Sequence, residues 1–248
     1  MDYFWYCYVF LLGSIIGSFL NVCILRLPAG QSVVTGRSHC PHCGHTLSFF
    51  EMIPVFSFLL LRGRCKNCHA RISIQYPLVE FLTGTAYLLS VLRFGFSDKA
   101  LLLCVFASVL IVLSGIDLHT MELPDSLQLW LLGLAILHLV FQPSFWFEGL
   151  LGFFIVSVPM LVLSLFTDGF GGGDIKLCAV CGLFLGFRLV LTGFVAACIL
   201  AAIAGLFLLL SKKADRHSAF PFGPFLSAGF LFSALYGDSV LAAYLFLF

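Results

Sequence analysis

Phe170-Gly171-Gly172-Gly173-Asp174-Ile175-Lys176 is the stretch from which the rest of the chain is read. Three glycines run into an aspartate, and the aspartate opens an apolar segment. A carboxylate at the mouth of a membrane helix is costly, so its presence points to function. Glycine has no Cβ and tolerates φ > 0, so another backbone can approach the acid closely. Asp117 ends another apolar run, 101–116. Two acids at the edges of two membrane helices predict a two-aspartate site.

The composition around them is that of a membrane protein. The chain has 248 residues, is 61% hydrophobic and 10% charged, and contains 29 Phe. Its mean hydropathy is +1.09. Soluble domains are about 45–50% apolar. The expected fold is an all-α polytopic membrane protein of about eight transmembrane helices, with spans at 3–25, 77–92, 100–116, 127–141, 149–166, 175–187, 189–210 and 222–248. About 20 apolar residues are needed to cross a bilayer. The 175–187 segment is short and can join its neighbour through a tight turn at 186–188. No cleavable signal peptide is expected, because no basic region precedes the apolar start at Tyr3. The net charge of +1 gives no argument for nucleic acid, and none is expected as a partner.

Three segments follow: a first transmembrane helix at 1–25, a polar loop at 26–76, and a transmembrane domain at 77–248. The first span carries Gly13, Ser14, Gly17 and Ser18 at helical spacing, which favours close helix packing. Asn21 near its end reads as an interhelical hydrogen-bonding residue. The apolar stretch 52–61 is too short to span and is expected to lie on the membrane face of the protein.

Charge sets the orientation. With the loop after the first span in the cytoplasm, Arg26, Arg37, Arg62, Arg64, Lys66, Arg71, Lys176, Lys212, Lys213 and Arg216 fall inside. Only Arg93, Lys99 and Arg188 fall outside. The positive-inside rule favours that orientation, with both termini outside. Asp117 and Asp174 then share the cytoplasmic side, as a joint site requires.

Two carboxylates can hydrolyse a peptide bond when one is ionised to activate water and the other is protonated to donate. Mutual repulsion separates their ionisations. The competing reading is that each acid caps a helix, which suits Asp174 before an apolar run. Asp125, after Pro124 and before 127–141, has an ordinary helix-start explanation as a cap or supporting neighbour. Asp117 ends a helix, where the macrodipole disfavours negative charge, and is preferred as the first acid. Asp168 reads as a loop residue.

Cys40-Pro41-His42-Cys43 and Cys65-Lys66-Asn67-Cys68 lie 21 residues apart in the polar loop. Four thiolates in two such pairs can surround Zn²⁺ tetrahedrally, giving a zinc-ribbon-like loop. A reducing cytoplasm keeps thiols free. His39, His42, His45 and His69 read as bystanders, and Cys178 and Cys181 as buried packing. Glu80 in an apolar run is costly, and Glu51 opens the short apolar stretch.

Gly17-Ser18-Phe19-Leu20-Asn21-Val22, the two Cys-x-x-Cys pairs, Tyr76-Pro77-Leu78-Val79-Glu80, Ile116-Asp117 followed by Leu123-Pro124-Asp125, and Gly171-x-Gly173-Asp174 occur in that order. Together they resemble the type IV prepilin peptidases, bifunctional leader peptidases and N-methyltransferases, over nearly the whole length. The resemblance implies a Gly-x-Gly-Asp membrane aspartic protease, similar to presenilin and preflagellin peptidases. Asp117 and Asp174 match its catalytic pair, and Gly171 and Gly173 its active-site loop. It implies prepilin or pseudopilin substrates, membrane lipid around the spans, a bacterial cytoplasmic membrane location, and cleavage of a basic leader at the cytoplasmic face. It further implies methylation of the new N-terminus from S-adenosylmethionine, and Zn²⁺ on the four cysteines. Asn21, Glu51 and Glu80 are the methyl-transfer candidates in or beside the polar loop. The alternatives are a proton- or cation-coupled transporter, which should show repeats and acids at the bilayer midplane, and a zinc-ribbon scaffold without chemistry.

Overall fold

The computed structural model describes residues 2–36, 38–40, 42–46, 48, 51, 53–167, 171–211 and 220–246. Asp168 and the whole of the basic 212–217 loop lie outside the described residues. The described chain is helical: α1 (Asp2–Arg26), α2 (Phe56–Leu60), α3 (Gln75–Phe94), α4 (Asp98–Thr120), α5 (Asp125–Phe141), α6 (Trp146–Phe166), α7 (Gly172–Leu185), α8 (Phe187–Leu210) and α9 (Gly223–Phe246). Each expected span falls on one of the eight longer helices. Among the described residues, five segments are long and apolar enough to cross a membrane: Phe4–Arg26, Asp98–Thr120, Pro143–Phe166, Phe187–Leu210 and Gly223–Phe246. The expectation of eight spans therefore rests on three helices that do not meet that measure. The clearest is α7, with 14 residues. At 1.5 Å per residue it is about 21 Å long, short of a hydrocarbon core of about 30 Å.

The chain divides into two units, Met1–Val112 and Leu113–Phe248. In the first, α1 packs on α3 through small residues. A Cβ on Gly17 would lie 2.7 Å from Glu80 Cα, and one on Gly13 would lie 2.9 Å from Gly84 Cα. The predicted stripe of small residues thus brings two backbones together, where van der Waals contact replaces a hydrophobic driving force absent in lipid. Asn21 Nδ2 donates to the Tyr76 carbonyl of α3 at 3.1 Å, the interhelical bond expected of it.

In the second unit α7 is the hub, packed against α5, α6, α8 and α9. Leu177, Cys178 and Cys181 on it are fully buried. A helix apolar on every side belongs inside a bundle. Gly186, at φ +81°, separates α7 from α8 in a single residue, so the expected turn at 186–188 is tighter than anticipated.

Candidate active site and metal centre

Four helix ends meet in the second unit: the C-terminus of α4 and the N-termini of α5, α7 and α9. Asp117 lies three residues before the end of α4 and is 5% exposed. Its position looks unfavourable on α4 alone, yet its carboxylate belongs electrically to another helix. The backbone N–H of Gly223, the first residue of α9, donates to Asp117 Oδ2 at 2.9 Å. The first N–H groups of a helix have no partner within it, and an anion there also meets the positive end of the dipole. A Cβ at Gly223 would lie 2.7 Å from the same oxygen, so a larger residue there would displace the carboxylate. Sequence reasoning missed Gly223. Its only signal was Gly223-Pro224 at a helix start.

Asp174 is the third residue of α7, and the residue preceding that helix is Gly171. Its side chain therefore does not cap in the expected N-cap position. It folds back toward Gly171, where a Cβ would lie 3.4 Å from Asp174 Oδ2. It also lies close enough to Asp117 to feel its charge. Neither Gly171 nor its two successors has positive φ. The expected conformational freedom is not what the glycines supply. Gly173 supplies room: a Cβ there would lie 3.0 Å from Leu123 Cβ, while Gly172 faces open space. Leu123 also stands 3.2 Å from where a Gly223 Cβ would be, so one side chain packs against both glycine-bearing segments.

Gln128 on α5 is buried, and sequence reasoning missed it. Its Nε2 donates to Gly173 O at 3.2 Å and to Leu123 O at 3.4 Å. One amide thereby fixes the backbone on either side of the acids. Asp125 has a different setting. It opens α5 with no side-chain capping bond, and Lys176 Nζ reaches its two oxygens at 2.7 and 3.0 Å. Both side chains of that pair are more than half exposed.

In the first unit the four cysteines Cys40, Cys43, Cys65 and Cys68 gather with all Sγ atoms within 4.8 Å of one another. Cys40 and Cys68 are 3.8 Å apart, and Cys43 and Cys65 are 4.0 Å apart. A tetrahedron with Zn–S bonds of ≈ 2.3 Å has sulfur–sulfur edges of about 3.8 Å. The set fits Zn²⁺, and among the described residues no histidine joins it. Each pair sits in the same tight turn. The N–H of Cys40 donates to His45 O and that of Gly44 to Cys40 O, while Cys65 N–H donates to Ala70 O and His69 N–H to Cys65 O. Gly44 at φ +68° and His69 at φ +57° hold the matching left-handed position. Asn67 Nδ2 further approaches Cys43 Sγ at 3.7 Å.

The methyl-transfer candidates each have different partners. Glu80 is buried on α3, and its Oε2 accepts the Val55 N–H at 2.8 Å. Glu51 accepts from the Ser48 N–H at 2.7 Å and meets His45 Nε2 at 3.3 Å. The Ser48 N–H, aided by His45, holds the Glu51 carboxyl down to about 2. Its Oε1 has no partner among the described residues, and neither has Oδ1 of Asn21. A cleft of about 510 Å³ beside the second cysteine pair is lined by Arg62, Arg64 and Lys66 and by no acid. Its guanidinium and ammonium groups oppose the sulfonium of S-adenosylmethionine.

Residues 11–94 match the bacterial peptidase A24 N-terminal domain, and residues 104–206 match the type IV leader peptidase family. The chain is 36% identical over 239 residues to a protein of Bacillus subtilis (strain 168) named prepilin leader peptidase/N-methyltransferase, covering 96% of each. Proteins of the same name from Aeromonas hydrophila and Stutzerimonas stutzeri are 34% and 32% identical. The first match covers 99% of this chain and 95% of the relative, and the second 94% and 91%. No solved structure matches the chain. With two family models laid along its length and full-length relatives above 30% identity, the chain belongs to the type IV leader peptidase family.

Proposed function

We propose that the chain is an aspartic endopeptidase that removes the basic leader from prepilins or pseudopilins, with Asp117 and Asp174 as the catalytic pair, and that it also N-methylates the new N-terminus. The observation that carries the reading is the anchoring of Asp117. Its carboxylate is buried and bonded to the Gly223 N–H, at a junction of helix ends that also bears Asp174. Asp125, exposed and paired with Lys176, has its charge compensated elsewhere. Gly171 precedes α7 and Gly173 leaves room for Leu123, so both shape the loop that carries Asp174. Asp125 supports α7 from outside through Lys176.

In the reaction one aspartate, ionised, takes a proton from water as its oxygen attacks the scissile carbonyl. The other, protonated, hydrogen-bonds the carbonyl oxygen and gives its proton to the departing amine. A prepilin has a basic leader followed by a long apolar helix. That helix lies in the bilayer and leaves the scissile bond at the membrane boundary. The charge bias along the chain supports a cytoplasmic boundary in a bacterial cytoplasmic membrane, with both termini outside. The four cysteines hold Zn²⁺, which crosslinks the 26–76 loop, and the peptidase chemistry belongs to 77–248. For the methyl transfer, Glu51 stays ionised at neutral pH and can hold the substrate's ammonium. Asn21 and Glu80 flank that loop at the ends of α1 and α3.

The test is to incubate the purified, reconstituted protein with a prepilin and read the product's N-terminus by mass spectrometry, with and without S-adenosylmethionine. A shortened pilin starting at the residue after the leader is expected, heavier by one methyl when the donor is present. An uncut substrate, or accumulation of an ion or solute in sealed vesicles instead, overturns the reading in favour of transport.

A further inference from the structure

The loop of the first unit carries a basic and apolar surface that hydrolysis does not use. We propose that α2 and the turn after it form a docking site for the headgroup of an anionic phospholipid, with the acyl chains against α2. Four observations carry this.

The first is position. Val55, which precedes α2, is bonded to Glu80. Glu80 in turn packs on Gly17 of α1. Gly17 lies nine residues from the Arg26 end of that span, about 14 Å at 1.5 Å per residue. α2 is therefore tied to the pair of α1 and α3 through Val55 and Glu80.

The second is apolar exposure. No residue of α2 is buried, and Leu59 and Leu60 are 65% and 83% exposed. Nearby Ile74, just before α3, is 74% exposed. The segment 52–61, expected to lie on the membrane face, thus turns leucines outward.

The third is charge. Between residues 52 and 79 the chain has no Asp or Glu but contains Arg62, Arg64, Lys66 and Arg71. The cleft is lined by Leu60, Leu61, Arg62, Arg64, Lys66 and His69, together with Cys65. Among the described residues none of these cations has an acidic partner in a salt bridge. Basic side chains next to apolar ones at the bilayer surface are the pattern that binds anionic lipid.

The fourth is exclusion by charge. A prepilin leader is basic, and the methyl donor carries a sulfonium. Neither suits a cleft lined by guanidinium and ammonium groups. A phosphate does, because arginine forks onto it with paired donors. The leucines beside it select a phosphate that carries acyl chains.

Native mass spectrometry of the full chain tests this. The protein in detergent is offered phosphatidylglycerol or phosphatidylcholine with identical acyl chains. We expect at least fivefold more phosphatidylglycerol than phosphatidylcholine to be retained. The triple variant Arg62→Gln, Arg64→Gln, Lys66→Gln should bring the two to parity while keeping its metal. Leu59→Asn with Leu60→Asn should lower retention of both lipids. Equal retention by the unmodified chain overturns the proposal, as does an undiminished preference in the triple variant. Should the triple variant lose metal, Arg62→Gln alone, which lies outside both cysteine pairs, decides by the same comparison. Displacement of the lipid by equimolar glycerol phosphate would show a site for soluble anions and overturn the lipid assignment.

Discussion

The two polar centres of this molecule are held by opposite means. In the second unit, the acids sit where α4 ends and where α5, α7 and α9 begin. Unspent backbone N–H groups and one buried amide position them. In the first unit, the cysteines sit on short turns, and the proposed Zn²⁺ is what draws the turns together. Helix termini suit the first task because a membrane helix offers its polar groups only at its ends. A metal suits the second because a loop of some fifty residues outside the bilayer has too little apolar surface to fold on itself. A carboxylate site carried by packed helices should therefore be sensitive to single atoms. A thiolate site should respond as a unit to metal.

The largest effects expected follow from the acids. Asp117→Asn or Asp174→Asn should lower prepilin cleavage by about 10³-fold or more, since either acid–base partner accounts for roughly 10²–10⁴. Membrane insertion and metal content should not change. Normal cleavage by either variant in a detergent assay would end the two-aspartate reading. Next comes Gly223→Val, which keeps both acids and crowds Asp117. Misplacement by about 1 Å can cost about 100-fold, and a loss of that order is expected in kcat with KM little changed. A larger rise in KM than loss in kcat would mean that Gly223 shapes substrate binding instead.

Much of this comparison was legible in the residues alone. The glycines and serines of α1, the four cysteines and the pair Asp117 and Asp174 each announce themselves by residue type and spacing. Gly223 does not, because its bond to Asp117 joins positions 106 apart and only the folded chain brings them together. Gln128 was missed for a related reason: a polar side chain in an apolar run shows its cost but not its partners. The pseudo-repeat of the two cysteine turns was hidden because the left-handed position is Gly44 in one and His69 in the other. The glycine run before Asp174 was legible as important through its missing Cβ, which Gly173 needs for space, while the positive φ also anticipated does not occur.

The metal centre should answer differently. Purified protein should carry about one zinc per chain, and replacing Cys40 and Cys43 by Ser should remove it. The carboxylate site takes no residue from the loop, so cleavage should persist while methylation of the same substrate disappears. Equal loss of both would show that the loop holds the whole enzyme together. Gln128→Leu should be milder. It leaves the carbonyls of Gly173 and Leu123 without their donor, worth about 1–3 kcal/mol, and thermal unfolding of the second unit should move by that amount. Gln128→Glu, ionised, should be worse, because it replaces a donor by an anion beside two carbonyls.

The smallest effect is expected at Asp125, and it bears directly on which acid acts. Asp125 and Lys176 form a short, two-pronged ion pair, but 68% and 58% of their side chains are exposed. Exposed pairs contribute about 0–1 kcal/mol, because water screens the charges and the long lysine loses freedom. Asp125→Asn should therefore lower cleavage by less than about tenfold and leave metal content untouched. Any loss should come through the seating of α7, so Lys176→Gln should produce a similar one, and the double variant should add little to either. That non-additivity separates a supporting pair from a catalytic acid, because removing a proton-transfer group at Asp125 would not be reproduced by changing Lys176. If Asp125→Asn is inactive, Lys176→Gln is active and Asp117→Asn still cleaves, the first acid is Asp125. The buried bond from Gly223 to Asp117 would then be only the cap of α9.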